Sequence, residues 1–106
     1  ILARDRDIMN KAEYERQLRL GNRALAAGNW AGARAAFQAA AKLLPDDLAA
    51  KEGLRAVRYG KALEDGNRAI TQKNRAAAIA AFQAALEERP GDLKARQGLE
   101  LAKKLK

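Results

Sequence analysis

Apolar positions recur along the chain with the spacing of helices that bury one face. In two short segments they fall at i, i+4, i+7 and i+8, which places them on one side of a helix. These positions are Ala33, Phe37, Ala40 and Ala41 in the first segment and Ala78, Phe82, Ala85 and Leu86 in the second. No stretch of strand length alternates apolar and polar residues with a period of two. The pattern therefore predicts an all-α protein without a sheet.

Proline, glycine and asparagine divide this helical pattern into five segments. Pro45 and Pro90 each end a helix, because proline lacks an amide hydrogen and disfavours helical geometry in the residue before it. The pairs Gly28-Asn29 and Lys73-Asn74 mark the other breaks, where asparagine tolerates left-handed backbone or caps the next helix. The predicted helices are 3–27, 31–43, 47–72, 76–88 and 92–105.

The chain repeats itself at an offset of 45 residues. Between residues 21 and 45, 14 of 25 positions are identical to the positions 45 further on. After each proline, Asp47 and its copy Asp92 supply an N-cap oxygen and negative charge to the next helix. A period of this length indicates stacked helical hairpins, each unable to bury its apolar face alone. Within a single domain we expect two full repeats and a capping helix, at 1–44, 45–89 and 90–106.

Small residues and one aromatic residue in each repeat predict where helices approach closely. Gly21 and its copy Gly66 stand in the long helices at points where a neighbouring helix must come near. Phe37 and Phe82 are the main apolar anchors of the short helices. The many alanines around them indicate thin interfaces and short distances between helices.

Two glycines lie inside the predicted 47–72 helix. Gly53 and Gly60 each cost about 1 kcal/mol relative to alanine in a helix, so they weaken the prediction of an unbroken helix. The copy of Gly53 at Gly98 indicates a packing reason for that position.

The inventory of side chains argues against catalysis. The 106 residues include no cysteine, histidine or serine, and Thr71 is the only threonine. The usual nucleophile–base pairs therefore cannot be assembled, and a thiolate metal site is excluded. We expect no enzyme activity, no cofactor and no metal. No stretch approaches the 18 or so apolar residues of a membrane span, and Ile1 in place of an initiator Met indicates a piece of a longer protein.

A set of small, aromatic and proline residues recurs at fixed spacing in both repeats. It comprises Gly21, Ala33, Phe37, Ala40 and Pro45, and then Gly66, Ala78, Phe82, Ala85 and Pro90. This set resembles the signature of the tetratricopeptide repeat (TPR) family over residues 17–47 and 62–92. It departs from the family at Asp65, where leucine is expected, and at Arg75, the copy of Trp30. The resemblance implies a right-handed α-solenoid of stacked antiparallel hairpins that acts as a protein-binding scaffold.

The length of the repeat differs from that of the family. Tetratricopeptide repeats have a period of 34 residues, whereas this chain repeats at 45, and the 11 additional residues lie between Pro45 and Gly66. Eleven residues complete almost three helical turns, so they lengthen the first helix and return its face nearly to the original phase. We therefore expect a tetratricopeptide-like repeat with an elongated first helix.

The resemblance also implies a peptide groove on the inner faces of the first helices. A stripe at steps of three and four recurs there, on one helix face. It consists of Tyr14, Leu18, Asn22, Leu25 and Ala26 in the first repeat and of Tyr59, Leu63, Asn67, Ile70 and Thr71 in the second. In this interpretation the tyrosines form walls and the asparagines pair with a ligand backbone. The alternative is that the tyrosines and leucines pack against the neighbouring repeat.

The carboxylate clamp for which the family is known is matched only at Asn22 and Asn67. Leu18 and Leu63 occupy the position of the clamp lysine. We therefore do not expect this chain to share that specificity.

The net charge of +8 is uneven. Residues 1–53 carry nine basic and seven acidic side chains, and residues 54–106 carry twelve and six. The basic second half favours an acidic partner, although a solvated basic face is the simpler interpretation. The leading hypothesis is a scaffold that binds a peptide segment of a protein partner. The alternatives are a structural spacer that self-associates by stacking end to end and, third, weak binding of nucleic acid or an anionic surface.

Overall fold

The computed structural model describes the backbone of residues 2–106 and the side chains of residues 7–106. Within that part of the chain there are five α-helices and no strands, and helices account for 83% of the chain. The helices are α1 (Leu2–Ala26), α2 (Trp30–Leu43), α3 (Leu48–Thr71), α4 (Arg75–Glu88) and α5 (Leu93–Lys103). The predicted all-α class is confirmed, and each helix end lies within two residues of its predicted position.

The long helix α3 is continuous through both of its internal glycines. It runs for 24 residues without a break at Gly53 or Gly60, which corresponds to about 36 Å at 1.5 Å per residue. The elongated helix predicted from the 45-residue period is therefore present.

The chain forms two compact units. Unit 1 extends to Val57 and contains α1, α2 and residues 48–57 of α3. Unit 2 is Arg58–Lys106 and contains the rest of α3 with α4 and α5. Each unit has the same order of elements, namely a long helical segment, a tight turn, a short helix, a proline joint and a further helical segment.

Each tight turn places one residue in the left-handed region and uses the following asparagine as a cap. Gly28 has a φ of 74°, and its copy Lys73 has a φ of 57°. The Asn29 Oδ1 accepts a hydrogen bond from the backbone N–H of Gly32 at 3.0 Å. Asn74 caps α4 in the same way, accepting from Ala77 N–H at 3.1 Å. Of the two roles predicted for the asparagines, they fill the capping role, and the left-handed position is taken by the residue before each of them.

The two proline joints are built alike. The backbone N–H of Leu44 donates to the carbonyl of Ala40, and that of Arg89 donates to the carbonyl of Ala85, which closes each short helix just before its proline. Beyond the proline, an aspartate begins the next helix. Asp47 accepts from Ala49 N–H at 2.9 Å, and Asp92 accepts from Ala95 N–H at 3.0 Å.

The core of unit 1 is organised around the ring of Phe37, which is fully buried. The ring lies against Gly21 of α1 on one side and Gly53 of α3 on the other. A Cβ atom at Gly21 would lie 2.7 Å from the ring, and one at Gly53 would lie 2.5 Å from it. Real Cβ contacts are never this short, so only glycine fits at either position.

Unit 2 repeats this arrangement around Phe82. Its ring is 1% exposed and lies between Gly66 of α3 and Gly98 of α5. A Cβ atom would lie 2.7 Å from the ring at Gly66, and still closer at Gly98. The predictions of close approach at Gly21 and Gly66 and of a packing role for the pair Gly53 and Gly98 are confirmed.

At the glycines that face the rings, substitution by alanine should destabilise the protein, although alanine normally stabilises a helix relative to glycine. Gly53→Ala should destabilise the protein by about 1–3 kcal/mol, because the new methyl group overpacks the Phe37 ring, although alanine is otherwise favoured in a helix by about 1 kcal/mol. Urea unfolding measures the change. In a Phe37→Leu background, which removes the ring, Gly53→Ala should cost clearly less. A Gly53→Ala protein more stable than the wild type would contradict this packing.

Exchanging the residues at the two left-handed turn positions, Gly28 and Lys73, tests whether these turns carry strain. Lys73→Gly should stabilise the protein by about 0.5–1 kcal/mol, because it relieves left-handed strain on a residue with a side chain. Gly28→Lys should destabilise it by a similar amount. Thermal unfolding of the two single variants and of the double variant measures both effects, and in the double variant they should nearly cancel. Equal melting temperatures for all four proteins would show that the left-handed turns carry no strain.

Candidate functional site

The five predicted site residues of α1 divide into a packed group and an exposed group. Tyr14 is buried, with 4% of its surface exposed, and the half-buried Leu18 and Leu25 pack against the core of unit 1. Asn22 and Ala26 are exposed and lie one turn apart. The Asn22 side chain forms no hydrogen bond with any residue that the structure describes.

The predicted residues of α3 divide in the same way. Tyr59, Leu63 and Ile70 are half-buried and pack against the core of unit 2. Asn67 and Thr71 are exposed, but the Thr71 hydroxyl donates back to the carbonyl oxygen of Asn67 at 3.1 Å. Among the described residues the Asn67 side chain has no hydrogen-bond partner. The asparagines are therefore the polar groups of the two stripes that are open to a ligand.

Tyr59 joins the second half of α3 to the start of α5. Its hydroxyl donates to Oδ2 of Asp92 at 2.6 Å, and the same oxygen accepts the capping hydrogen bond from Ala95 N–H. The Arg89 guanidinium lies 4.2 Å from the centroid of the tyrosine ring, a cation–π contact. These contacts fix the position of α5 within unit 2, which is the packing role that the sequence left as an alternative.

The Tyr59–Asp92 pair shifts the pKa of both groups. Burial raises the pKa of the Tyr59 hydroxyl, and the Asp92 carboxylate raises it further, while Arg89 acts in the opposite direction. The hydrogen bond from Tyr59 lowers the pKa of Asp92, and the N–H of Ala95 lowers it as well. The pair therefore favours a neutral phenol beside an ionised carboxylate at neutral pH.

Tyr14 and Asp47 are the equivalent residues in unit 1. The Tyr14 hydroxyl is buried, and no described residue meets hydrogen-bond geometry with it. The Asp47 carboxylate is nevertheless close enough to act on it, and burial together with this charge raises the pKa of Tyr14 to about 12. The hydroxyl in turn lowers the pKa of Asp47.

A shallow pocket lies beside Asn67 in unit 2. Its volume is about 250 Å³. Its apolar lining comes from Leu63, Phe82, Gly98 and Leu101, and its polar lining from Asn67, Lys94 and Gln97. The two amides each carry a donor and an acceptor, and Lys94 adds a positive charge. Such a surface suits a peptide group or a short polar segment.

Five residues of this pocket were not among the predicted site residues, namely the buried Phe82 and Gly98 and three exposed residues of α5. Lys94, Gln97 and Leu101 lie at i, i+3 and i+7 on α5, so they share one face of that helix. The sequence assigned α5 only a capping role. The helical spacing was the available signal, but the residues 45 positions earlier differ, being Ala49, Glu52 and Ala56.

Ion pairs neutralise most of the acidic side chains of unit 2. The pairs are Arg58–Glu88 at 2.7 Å, Lys61–Asp65 at 2.8 Å, Arg68–Glu64 at 3.0 Å, Arg68–Asp65 at 3.5 Å and Lys103–Glu100 at 3.8 Å. Lys94, Arg96 and Lys104 form no ion pair with a described residue. Part of the excess positive charge of this unit therefore lies on α5 and the residue just after it.

The chain matches no protein-family model, no curated protein and no solved structure. The resemblance to the tetratricopeptide family therefore stays a prediction from the residue pattern. No helix in the described part of the chain has the length and apolar character needed to cross a membrane. Residues 7–106, whose side chains are described, contain no group of three or more Asp or Glu placed to hold a metal ion.

Ionisation of the Tyr14 hydroxyl should destabilise the protein at alkaline pH. Its folded pKa of about 12 lies above the unfolded value of about 10. The protonated phenol therefore contributes stability that is fully present below about pH 10 and is lost as the pH rises through the folded value. The melting temperature should fall between pH 10 and pH 12, and Tyr14→Phe should reduce that fall.

A single-tyrosine variant provides the direct measurement. Because the chain has two tyrosines, the absorbance of phenolate in Tyr59→Phe reports Tyr14 alone. In the folded protein it should titrate near pH 12, and in urea near pH 10. Titration near pH 10 in the folded protein would contradict the burial of this hydroxyl.

Proposed function

We propose that the chain is a non-catalytic scaffold for protein–protein interaction, a tetratricopeptide-like right-handed α-solenoid that binds an extended peptide segment of a partner. The observation that carries the proposal is the exposed Asn67 amide, which is unpaired among the described residues and borders an apolar pocket with Lys94 and Gln97. This combination of a small apolar floor and a few polar groups is typical of peptide-recognition surfaces.

The chemistry of the pocket supports an extended peptide as its ligand. An extended backbone presents one N–H and one C=O from each residue, and a carboxamide side chain can pair with both groups at once. Asn67 and Gln97 provide two such side chains, and Lys94 favours a peptide with a nearby acidic residue. A pocket of about 250 Å³ has room for one side chain of the peptide.

Unit 1 carries the equivalent exposed amide at Asn22. This side chain is exposed and lies one helical turn from the half-buried Leu18. The tyrosines contribute indirectly in this proposal, since Tyr59 fixes the helix that carries Lys94 and Gln97. With so few polar contacts we expect dissociation constants of about micromolar order.

Peptide selection followed by mutation tests the proposal. A phage-displayed library of random dodecapeptides is panned on the wild-type protein, and the selected peptides are titrated calorimetrically. Asn67→Ala should weaken binding by about tenfold, since a hydrogen bond between amides contributes about 1 kcal/mol. The melting temperature should stay the same, because no described residue depends on this amide. Asn22→Ala combined with Asn67→Ala should abolish binding.

The control is Gln83→Ala, which removes an exposed carboxamide of α4 that does not line the pocket. This variant should bind the selected peptides as the wild type does. If the double asparagine variant also binds them like the wild type, the proposed surface is wrong.

A further inference from the structure

Unit 2 has a second and larger groove, which we call the α5 groove. Its volume is about 820 Å³. Its floor is formed by four leucines, namely Leu86 of α4 and Leu93, Leu99 and Leu101 of α5. Leu93 is 64% exposed and Leu101 is 57% exposed. A cluster of leucines with this exposure loses apolar contact with water when a partner covers it.

The rim of the α5 groove is positively charged. Arg96 and Lys104 line it, and neither forms an ion pair with a described residue. The one carboxylate of the lining, Glu100, is paired with Lys103 at 3.8 Å. An occupant that carries acidic side chains next to its apolar side chains would therefore match both the floor and the rim.

Lys104 stands at the repeat position of Tyr59, 45 residues after it. In unit 2, Tyr59 packs in the cluster that contains Ala85 and Ala95 and donates to Asp92, so it holds the helix that follows the hairpin. Because Tyr59 meets an aspartate, an ammonium group in the same position would pair with a carboxylate more strongly than the phenol does. Lys104 therefore favours an occupant with a carboxylate.

We propose that the α5 groove binds an amphipathic helix of a protein partner, with leucine-type side chains at steps of three and four and with Asp or Glu beside that stripe. One face of α5 has the same steps of three and four, at Leu93, Gln97, Leu101 and Lys104. The partner helix would therefore pack alongside α5 over about three turns. This inference goes beyond the proposed function, because it concerns a helical rather than an extended ligand. The α5 groove adjoins the pocket beside Asn67 and shares Gln97 and Leu101 with it, but it extends away from Asn67 to Leu86, Leu93 and Lys104.

The test uses two synthetic peptides of 18 residues with blocked ends. Both carry leucines at i, i+4, i+7 and i+11; the first has glutamates beside this stripe, and the second has lysines at the same positions. Fluorescence anisotropy measures their binding to the intact 106-residue chain. The acidic peptide should bind at least about tenfold more tightly than the basic one, and the difference should shrink as salt rises from about 50 to 500 mM.

Each substitution in the α5 groove can be compared with a substitution at an equivalent position in unit 1. Leu93→Ser should weaken binding of the acidic peptide by about tenfold, and Arg96→Glu with Lys104→Glu by at least that factor. The controls are Leu48→Ser and Lys51→Glu, which change the exposed copies of Leu93 and Arg96 in unit 1 and should leave binding within about twofold. All of these side chains are exposed, so the variants should fold, which circular dichroism checks.

The following results would each contradict the proposal. Equal affinity for the two peptides would show that the positive rim does not select acidic side chains. Unchanged affinity of Leu93→Ser for the acidic peptide would show that the peptide does not bind in the α5 groove. Sedimentation showing that the wild type self-associates and that Leu93→Ser is monomeric would make a second copy of the chain the occupant. Asn67→Ala separates the two surfaces, since it should leave binding of the acidic helix unchanged. If it abolishes that binding, the peptide occupies the surface of the proposed function instead.

Discussion

The close contact between one phenylalanine ring and two glycines sets the geometry of each unit. Phe37 stands 16 residues from both Gly21 and Gly53, and the same interval separates Phe82 from Gly66 and Gly98. Because a Cβ atom at any of these glycines would collide with the ring, the ring determines how near the flanking helices come to the short helix. Interiors packed at this density tolerate little change of volume. The remaining small core residues, mostly alanines, follow from this short separation.

The same contact joins α3 to both phenylalanine rings. The helix α3 supplies a glycine to each ring, Gly53 to Phe37 and Gly66 to Phe82. The two glycines are 13 residues apart, so the helix must be long enough to carry both. Glycine lowers helix stability by about 1 kcal/mol at each position. Burial of the phenylalanine ring that each glycine contacts more than offsets that cost. The helix is therefore unbroken where its local sequence argues for a break.

Features that depend on neighbouring residues were predictable, whereas features that depend on distant ones were not. Proline, the capping asparagines and the apolar spacing act within one or two turns, so the helices and their ends followed from the sequence. The sequence left the tyrosines either as groove walls or as packing residues, and Tyr59 bonds to Asp92, which is 33 residues away. That pairing does have a trace in the sequence, because Tyr14 and Asp47 are separated by the same interval. Spacing alone does not show whether two such residues meet.

Part of each candidate surface lies where the two copies differ, and this follows from what a repeated scaffold requires. Positions that join helices must satisfy the same geometry in both copies, so Gly, Phe and Asn recur there. A position that faces solvent has no such constraint, so it can change without cost to the fold. Lys94, Gln97 and Leu101 replace Ala49, Glu52 and Ala56, and the change adds apolar surface and removes a negative charge. The framework positions are therefore identical in the two copies, and the differences on the exposed faces show where unit 2 can select a partner of particular chemistry.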